Sequence, residues 1–482
     1  MKVIQRDNYQ YDAVIVGSGP NGLAAAITLA RRGLRVQVIE GNEQIGGGSR
    51  SAELTLPGFT HDVCSAVHPL ALTSPFFRSL DLAGHGVEWC LPPVSLAHPL
   101  DNVQAVLVHS SVALTAAQFG VDAAAYCRLY QPLVDRYPRL MSYLLSQLRV
   151  PAAPFDLVGF GLHALRSASG LARSRFSTVE ARALFAGMAA HGMLPLEQVG
   201  TASFGLVLAL SAHAVGWPVV KGGSQRIVDA MAAILRELGG EIVTGQFVTH
   251  LDQLPTSRAA LLDVSPRSLV AIGADRLPAA YKARLARYRY GPGVFKVDWA
   301  LSAPIPWSDP AIARSATVHL GGTLEEIAAS ERQVAKGEHP DKPYVLLVQP
   351  SLFDPTRAPI GSHTAWAYCH VPNASTRDMR AIIETQVERF APGFRDTILA
   401  ASTMNAQEYE LYNPNYVGGD INSGAQDLGQ LFTRPLARWD PYATPLEGVY
   451  LCSSATPPGG GVHGMCGHLA AQSALRNTFH LA

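Results

Sequence analysis

The chain has 482 residues, of which 48% are hydrophobic and 16% are charged, and its 38 basic side chains balance its 38 acidic ones. A chain of this length and apolar content can form two or three domains around a sizeable core. Its zero net charge gives no electrostatic support for nucleic-acid binding, so we expect no such partner.

The beginning of the chain shows no targeting pattern. Residues 1–10 include charged side chains but no apolar segment, and they lack the arginine- and serine-rich character of a transit peptide. The six cysteines include no C-x-x-C pair, so we expect free thiols in a reducing compartment. No apolar run of 18 residues predicts a transmembrane helix. These features favour a bacterial cytoplasmic protein.

The first predicted strand runs directly into a G-x-G-x-x-G motif, and an alanine-rich helix and a second strand that ends in an acid follow it. The first glycine allows a tight turn, the second lets the backbone approach a pyrophosphate, and the third lets the helix pack closely on the strand. The terminal acid suits a ribose hydroxyl. We therefore predict a dinucleotide site at Gly17, Gly19, Pro20, Asn21, Gly22 and Glu40.

A glycine cluster follows this acid within ten residues. Its position suits a second close approach of the backbone to the same cofactor. The candidate cofactor residues in this segment are Gly47, Gly48 and Arg50.

The pattern from about residue 70 to residue 216 is mostly helical, with predicted helices over 118–148 and 178–190. The apolar stretch 201–217 predicts a buried or surface-lying helix. Such a helix could belong to the core, flank a substrate tunnel, face a membrane or form a dimer contact, and the spacing fits the core best.

A Lys221-Gly222-Gly223 segment opens a further helix, which a Gly239-Gly240 turn ends. Two strands are predicted after this helix, over 241–244 and 260–264. Beyond residue 290 the sequence pattern changes to alternating strands, predicted over 295–301, 344–349 and 364–371, and one amphipathic helix, predicted over 377–390.

The chain ends as it begins, with a strand over 448–452, a glycine-rich turn over 453–464 and a helix over 465–478. We infer that both chain ends hold one cofactor in an α/β, Rossmann-type domain with a parallel sheet and helices. An α+β substrate domain is inserted into it. The predicted cofactor domain comprises 1–75, 219–290 and 441–482, and the predicted substrate domain comprises a helical part, 76–218, and a sheet part, 291–440.

Five segments carry a resemblance over nearly the whole chain: 17–22, 221–223, 290–298, 414–420 and 457–467. They resemble the flavoprotein superfamily of phytoene desaturases, amine oxidases and GDP-dissociation inhibitors. Within it, the chain is most similar to the phytoene dehydrogenase-related group, which includes pyridine nucleotide-disulfide oxidoreductase domain-containing protein 2 and its bacterial relatives. Eukaryotic proteins of that type are mitochondrial, so a eukaryotic source would imply that compartment.

The resemblance implies FAD as the cofactor, with its ADP half on the first glycine-rich loop. It also implies that the C-terminal block sets a helix N-terminus against the flavin ring, at Gly461, Val462, His463 and Gly464. Val248, in the strand after Gly240, would touch the adenine side through its backbone, and Gly223 would lie near the flavin. Carotenoid desaturases usually have proline where this chain has His463, so the resemblance supports the fold more strongly than a carotenoid substrate.

Lys296 is the first catalytic candidate, because in the similar amine oxidases a lysine holds a water at the reactive flavin nitrogen. The alternative is that Lys296 and Asp298 occupy the solvent face of an alternating strand. His463 is the second candidate, as a hydrogen-bonding partner of flavin or substrate, and its alternative role is to shape the loop.

Trp366, Tyr368 and His370 share one face of a predicted strand. Trp366 and Tyr368 are candidate substrate-lining residues, with ordinary core packing as the alternative. None of the 16 histidines lies in a recognised ligand spacing, so we expect no metal.

The predicted activity is that of an FAD-dependent dehydrogenase or desaturase that oxidises an apolar or amphipathic substrate to a C=C or C=N product. Oxygen, a quinone or another acceptor would take the electrons. An amine oxidase-like enzyme, a flavin-dependent isomerase and a non-catalytic protein of the GDP-dissociation-inhibitor type are the alternatives. A homodimer and a peripheral membrane contact stay open.

Overall fold

The computed structural model describes residues 9–101, 104–147 and 154–481. Its strands, numbered in chain order, are β1 (Tyr11–Val16), β2 (Val36–Ile39), β3 (Ser51–Glu53), β4 (Thr60–Asp62), β5 (Trp89–Cys90), β6 (Val94–His98), β7 (Val106–Val108), β8 (Val219–Val220), β9 (Glu241–Val243), β10 (Ser257–Leu262), β11 (Gly293–Leu301), β12 (Ser315–Leu320), β13 (Val345–Val348), β14 (His363–Val371), β15 (Ile398–Met404) and β16 (Val449–Leu451).

The α-helices, numbered in the same way, surround and connect these strands. They are α1 (Pro20–Ala30), α2 (Pro69–Thr73), α3 (Val112–Ala116), α4 (Ala123–Val134), α5 (Tyr137–Leu144), α6 (Pro154–Ala164), α7 (Ala168–Arg175), α8 (Val179–Ala190), α9 (Ala202–Ala214), α10 (Gln225–Glu237), α11 (Pro266–Gly273), α12 (Ala279–Leu285), α13 (Leu324–Ala335), α14 (Arg380–Glu388), α15 (Ala406–Tyr412), α16 (Leu428–Leu431) and α17 (Met465–Asn477).

Five strands form a parallel sheet in the order β16-β10-β1-β2-β9. Both faces of its central strand are buried, since Ala13 and Ile15 pack towards α1, α10 and α17 while Val14 and Val16 pack towards α11 and α12. A parallel sheet covered by helices on both faces explains why β1 is almost uniformly apolar. The predicted Rossmann-type domain is confirmed.

Two glycines set the geometry at the start of this domain. A Cβ at Gly22 would lie 2.0 Å from the carbonyl oxygen of Gly17, so only glycine lets α1 leave β1 so closely. A Cβ at Gly467 in α17 would lie 1.7 Å from the carbonyl oxygen of Asn21. The last helix of the chain therefore packs directly on the first turn of α1.

Seven strands form a second, mixed sheet in the order β15-β11-β14-β13-β12-β6-β7. Its pairings are antiparallel except that β6 runs parallel to β12. One face packs against α14 around a core that includes Val297, Trp299 and Leu347. The predicted second, α+β part of the chain is thus present.

The opposite face of this sheet bears the polar and aromatic residues that matter for the site. Across β12, β13, β14 and β11, one row in register joins Thr317, Val348, Trp366 and Asp298. The next row joins His319, Leu346, Tyr368 and Lys296. Because paired residues project to the same side of a sheet, these eight side chains share one face.

The prediction that residues 70–216 are mostly helical was incomplete. This region also contains β5, β6 and β7, and β6 is buried along its whole length as the partner of β12. Its sequence, Val-Ser-Leu-Ala-His, does not alternate because neither side of it faces water. β12 and β15 were also missed.

Three predicted elements differ from the structure. The predicted helix 118–148 is broken, because Gly120 adopts a φ of +51° before α4 and a further break separates α4 from α5, while residue 148 lies outside the described residues. Val248 does not lie in a strand, since β9 ends at Val243. The helix predicted over 377–390 is shorter in the structure, where α14 covers only Arg380–Glu388. The domain boundaries stay predictions.

None of the helices in the described part of the chain is both long and apolar enough to cross a membrane. The apolar helix α9 is largely buried in the core that surrounds α1 and α8.

Candidate functional site

A cavity of about 500 Å³ extends from the carboxyl edge of the five-stranded sheet to the polar face of the seven-stranded sheet. The end at the parallel sheet, here called the dinucleotide end, is lined by residues that directly follow β1, β2 and β10: Gly17, Glu40 and Asp263. The other end, here called the aromatic end, is lined by His191, Leu208, Trp217, Thr317, Leu346, Trp366 and Tyr368. Ligands of open parallel sheets bind at the carboxyl ends of the strands, as this cavity allows.

Two glycine loops meet at the dinucleotide end. Gly17 has a φ of +99° and Gly47 a φ of +53°, and a Cβ on Gly47 would lie only 3.2 Å from Cα of Gly19. Helix α1 begins here at Pro20, and its N-cap residue, Gly19, has no side chain to cap it, although Asp263 accepts from the Gly22 N–H in the first turn. The helix dipole at this N-terminus favours an anionic group such as a pyrophosphate.

Glu40 closes β2 and is buried at the dinucleotide end. Its Oε2 accepts hydrogen bonds from the Ser18 N–H at 2.9 Å and the Ser18 hydroxyl at 2.5 Å, and its Oε1 accepts from the Asn42 N–H at 2.9 Å. Burial raises the pKa of Glu40, but these donors outweigh it and hold the pKa below its ordinary value. The carboxylate is therefore ionised and oriented as an acceptor, which suits ribose hydroxyls.

Asp263 was not predicted, although it follows β10 at the same sheet edge as Gly17. Its Oδ2 accepts from the Gly22 N–H at 2.9 Å and lies 3.1 Å from where a Cβ of Gly19 would be. Burial raises the pKa of Asp263 to about 7, and the Glu40 carboxylate adds to the rise while the Gly22 hydrogen bond opposes it. The Asp263 carboxyl is therefore protonated at pH values below about 7, and it lies beside the loop that would hold phosphate.

This carboxyl predicts a pH-dependent stability difference. Because the folded-state pKa lies above the unfolded value, its stabilising contribution is present below about pH 4 and is lost as the pH rises through about 7. We expect Asp263→Asn to match the wild type near pH 4 and to be more stable by about 4 kcal/mol at pH 8. Urea unfolding across this range measures the difference.

The control for this prediction is Asp135→Asn, which changes an exposed carboxylate. It should leave the pH profile unchanged. A stability difference for Asp263→Asn that stays constant from pH 4 to pH 8 would contradict the raised pKa.

Two buried polar atoms at the dinucleotide end have no hydrogen-bond partner among the described residues: Nε of Arg50 and Oδ1 of Asn21. The Arg50 guanidinium also lies over the ring of Tyr412, 4.6 Å from its centre. A cation, a helix N-terminus and an ionised acceptor around glycine loops match the charge pattern of an adenine dinucleotide. The donor and acceptor set therefore fits FAD at this end.

Most of the predicted cofactor residues come together around the cavity. Those that line it are Gly17, Gly19, Pro20, Asn21, Glu40, Gly47, Gly48, Arg50, Val248, Gly461 and Val462. Those that do not are Gly22, Gly223, His463 and Gly464.

The glycines outside the lining are positions of close packing. Gly22 packs on Gly17, and a Cβ at Gly223 would lie 2.4 Å from the hydroxyl oxygen of Ser51. Gly464 has a φ of +68°, and a Cβ at this position would lie 2.9 Å from the rings of Phe76 and Phe77. These glycines therefore support the cavity-lining loops without lining the cavity themselves.

His463 is fully buried and is not among the residues that line the cavity. Its Nδ1 accepts a hydrogen bond from the Met465 N–H at 3.0 Å, and its carbonyl oxygen accepts from the Ser74 hydroxyl at 2.6 Å. Burial lowers the pKa of His463 to about 4, so the ring is neutral. This geometry supports the loop-shaping alternative, in which the imidazole caps the first turn of α17.

Lys296 is buried beneath the aromatic end rather than exposed within it. Its Nζ donates to both carboxylate oxygens of Asp298, at 2.6 and 2.7 Å, and to the carbonyl oxygen of Asp62 at 2.8 Å. It also lies 5.1 Å from the ring centre of Trp366, which does line the cavity. The alternative of a solvent-facing Lys296–Asp298 strand face was wrong, because both side chains are buried.

Trp366 and Tyr368 both line the cavity, as predicted from their shared strand face, with stacked rings whose centres lie 5.8 Å apart. His370 lies on the same face of β14, but its Nδ1 is 2.9 Å from a carboxylate oxygen of Glu331, and it is not part of the cavity lining. The aromatic end therefore rests on two large rings of β14.

Sequence reasoning missed His191 and Trp217. His191 directly follows α8, and Trp217 follows α9. Neither lies in a motif, and they meet only because α8 and α9 pack together over β6. Only the tertiary packing reveals these two lining residues.

Comparison with known proteins agrees with this geometry. The profile of the NAD(P)-binding Rossmann-like domain family matches residues 15–79. The chain is 27% identical to pyridine nucleotide-disulfide oxidoreductase domain-containing protein 2 of Rattus norvegicus, over 97% of this chain and 94% of that protein. It is 24% identical to the neurosporene-forming phytoene desaturase of Rhodobacter capsulatus, over 94% of this chain and 92% of that protein.

Among solved structures, the fold matches putrescine oxidase bound to putrescine with a TM-score of 0.62 and 16% identity, over 97% of this chain and 98% of that chain. The homologues of this chain thus include pyridine nucleotide-disulfide oxidoreductase domain-containing protein 2 and phytoene desaturases, and its fold is amine oxidase-like. The expected resemblance is confirmed.

Proposed function

We propose that the chain is an FAD-dependent dehydrogenase of the desaturase type, which forms a C=C bond by removing a hydride and a proton from adjacent carbons of an apolar or amphipathic substrate. The hydride would go to bound FAD, and the proton would finally pass to solvent. One observation carries the proposal: a single cavity joins a complete dinucleotide end to an apolar, aromatic end. Oxygen, a quinone or another acceptor would then receive the electrons.

The proposed cofactor contacts follow from the geometry of the dinucleotide end. The loops at Gly17, Gly19 and Gly47 would hold the pyrophosphate, Glu40 would accept from the ribose, and Arg50 would supply positive charge. Gly461 and Val462 line the cavity just before α17 and would adjoin the flavin. Bound FAD supplies the two-electron acceptor for a C–H bond held against its ring.

The aromatic end orients the substrate and excludes water. Leu208, Leu346 and Trp366 present apolar surface there, while the charged lining residues, Glu40, Arg50 and Asp263, all lie at the dinucleotide end. Burying a charged substrate group without a partner is strongly unfavourable. The cavity therefore favours an uncharged substrate.

An amine oxidase-like reaction with a C=N product is the second candidate, and the fold shared with putrescine oxidase supports it. A free ammonium group, however, has no carboxylate to meet at the aromatic end of the described cavity. An amine would have to enter in its neutral form.

The test of the proposed function is the visible absorption spectrum of the purified protein, repeated on the supernatant after heat denaturation. Released FAD is expected. A colourless protein that also fails to take up added FAD would favour the non-catalytic, GDP-dissociation-inhibitor-like alternative. Substrate added anaerobically to the FAD-loaded protein should bleach the flavin, whereas product without lasting bleaching would indicate an isomerase.

Glu40→Ala should weaken FAD binding about 10- to 100-fold, because hydrogen bonds to an ionised acceptor are among the stronger ones. Fluorescence titration of apoprotein with FAD measures the dissociation constant. Glu338→Ala, which removes an exposed carboxylate, is the matched control and should bind FAD like the wild type. Equal affinity in both variants would remove Glu40 from the cofactor site.

A further inference from the structure

Two polar groups of the aromatic end have no hydrogen-bond partner among the described residues: the Tyr368 hydroxyl and Nδ1 of His191. Both residues line the cavity, and both are only partly buried, whereas the other residues paired with Tyr368 in its row, His319, Leu346 and Lys296, are buried. They are therefore the polar atoms that a molecule in this end of the cavity would meet.

The tautomer of His191 follows from its neighbour. Nε2 of His191 lies 2.9 Å from Nε2 of His319, so one of these nitrogens donates to the other. Nδ1 of His319 is fully buried and has no partner among the described residues. A buried N–H without an acceptor is more unfavourable than a bare ring nitrogen, so His319 carries its proton on Nε2 and donates it to His191.

His191 must then carry its own proton on Nδ1, which presents an N–H donor to the cavity. Burial lowers the pKa of His191 to about 3, and nearby His370 adds to this effect, so the ring stays neutral. Burial likewise raises the pKa of Tyr368 above its ordinary value, so its hydroxyl keeps its proton. The aromatic end offers two neutral donors.

The sheet register places these side chains over one face of the sheet. Tyr368, Leu346 and His319 are paired in one row across three strands, so the backbones of Tyr368 and His319 lie about 10 Å apart and their long side chains project from the same face. His191 contacts His319, and Leu346 lies in the row between Tyr368 and His319. An apolar molecule lying over Leu346 would meet both.

The acceptor on such a molecule is an uncharged oxygen. A carboxylate would need a cation, and the ammonium of Lys296 is already satisfied by Asp298 beneath Trp366. A carbonyl oxygen accepts two hydrogen bonds and carries no donor. An alcohol also has an O–H that needs an acceptor of its own, so a carbonyl suits a site of N–H and O–H donors better.

We propose that His191 and Tyr368 are substrate-binding residues and that the substrate is a largely apolar, uncharged carbonyl compound whose oxygen accepts from them. This inference rests on the proposed function, since it names the substrate class for the same cavity. It distinguishes this site from one built for a pure hydrocarbon or for a free amine.

The test compares four probes of equal chain length on the FAD-loaded protein: methyl octyl ketone, the corresponding alcohol, decane and decanoate. Binding is followed through the flavin absorption and, independently, through the intrinsic tryptophan fluorescence, to which Trp217 and Trp366 in the cavity lining contribute. We expect the ketone to bind about 5- to 10-fold more tightly than decane and decanoate not to bind. Equal affinity for ketone and decane, or tighter binding of the alcohol or decanoate, would overturn the proposed class.

Variants then assign the donors. His191→Phe and Tyr368→Phe should each weaken ketone binding about 5- to 10-fold and leave decane binding unchanged. His191→Asn keeps a donor at the bond distance of Nδ1 and should restore most of the loss. Tyr137→Phe, whose hydroxyl donates to Ser211 outside the cavity, is the control. A variant that binds the ketone like the wild type removes its residue from the site.

FAD content is measured first in every variant. A protein that neither contains FAD nor takes up added FAD contradicts the proposed function, yet tryptophan fluorescence still reports whether the ketone binds. A protein that holds FAD but does not distinguish the ketone contradicts only the proposed substrate class.

Discussion

Gly467→Ala is expected to abolish FAD retention and to lower the free energy of unfolding by at least about 3 kcal/mol. The added Cβ would lie 1.7 Å from the carbonyl oxygen of Asn21, in the first turn of α1. Backbone atoms cannot rotate out of the way, so α17 must move off α1. That movement would displace both loops that the two helices begin from, at Gly19 and at Gly461.

The measurements are urea unfolding and the ratio of flavin to protein absorbance after purification. Gly161→Ala is the matched control, because a Cβ at Gly161 in α6 meets nothing within 4 Å. Replacing a helical glycine by alanine in open space should be neutral or stabilise by about 0.5–1 kcal/mol. If Gly467→Ala kept FAD and unfolded like the control, the close contact between α17 and α1 would be refuted.

The dinucleotide end could be predicted because its determinants are local in the sequence. A strand, a glycine-rich turn and a helix follow one another around Gly17 and Gly22, and Glu40 ends the next strand. Each step is constrained by backbone geometry that only certain residues allow. Asp263 was missed because the predicted strand, 260–264, contained it, whereas β10 ends at Leu262 and leaves Asp263 at the carboxyl edge of the sheet.

The aromatic end could be predicted only where one strand carries the pattern. Trp366 and Tyr368 alternate on β14, so their shared face was visible. His191 reaches the same surface from the end of α8, and its partner His319 lies on β12, a strand that was not predicted. The contact depends on which strands pair, and a fully buried strand shows no alternation that would reveal it.

The burial of Lys296 was hidden for a related reason. Alternation of polar and apolar residues along β11 indicates two different faces but does not say that the polar one is solvated. Here the polar face is covered, and the charges are held by each other and by Asp62. Whether Lys296 acts in catalysis or only in this buried pair is decided by separating stability from activity.

Lys296→Met should lower the free energy of unfolding by about 3–5 kcal/mol, because it leaves the Asp298 carboxylate buried without its cation. Burial raises the pKa of Asp298 to about 6 even though the Lys296 ammonium opposes the rise. The variant should therefore lose less stability below pH 6, where the unpaired acid can be neutral. Urea unfolding at pH 5 and pH 8 measures both effects.

The double variant Lys296→Met/Asp298→Leu removes both charges and should recover most of the stability, since replacing a buried ion pair by apolar groups is often nearly neutral. It also separates the two roles of Lys296. Because Nζ is satisfied by Asp298 and Asp62 and Lys296 is not among the residues that line the cavity, we expect the folded, FAD-loaded double variant to have its flavin reduced by substrate within about 10-fold of the wild-type rate. A loss of more than about 100-fold at normal stability and FAD content would instead establish Lys296 as a catalytic residue, because a shift of that size exceeds what repacking beneath Trp366 explains.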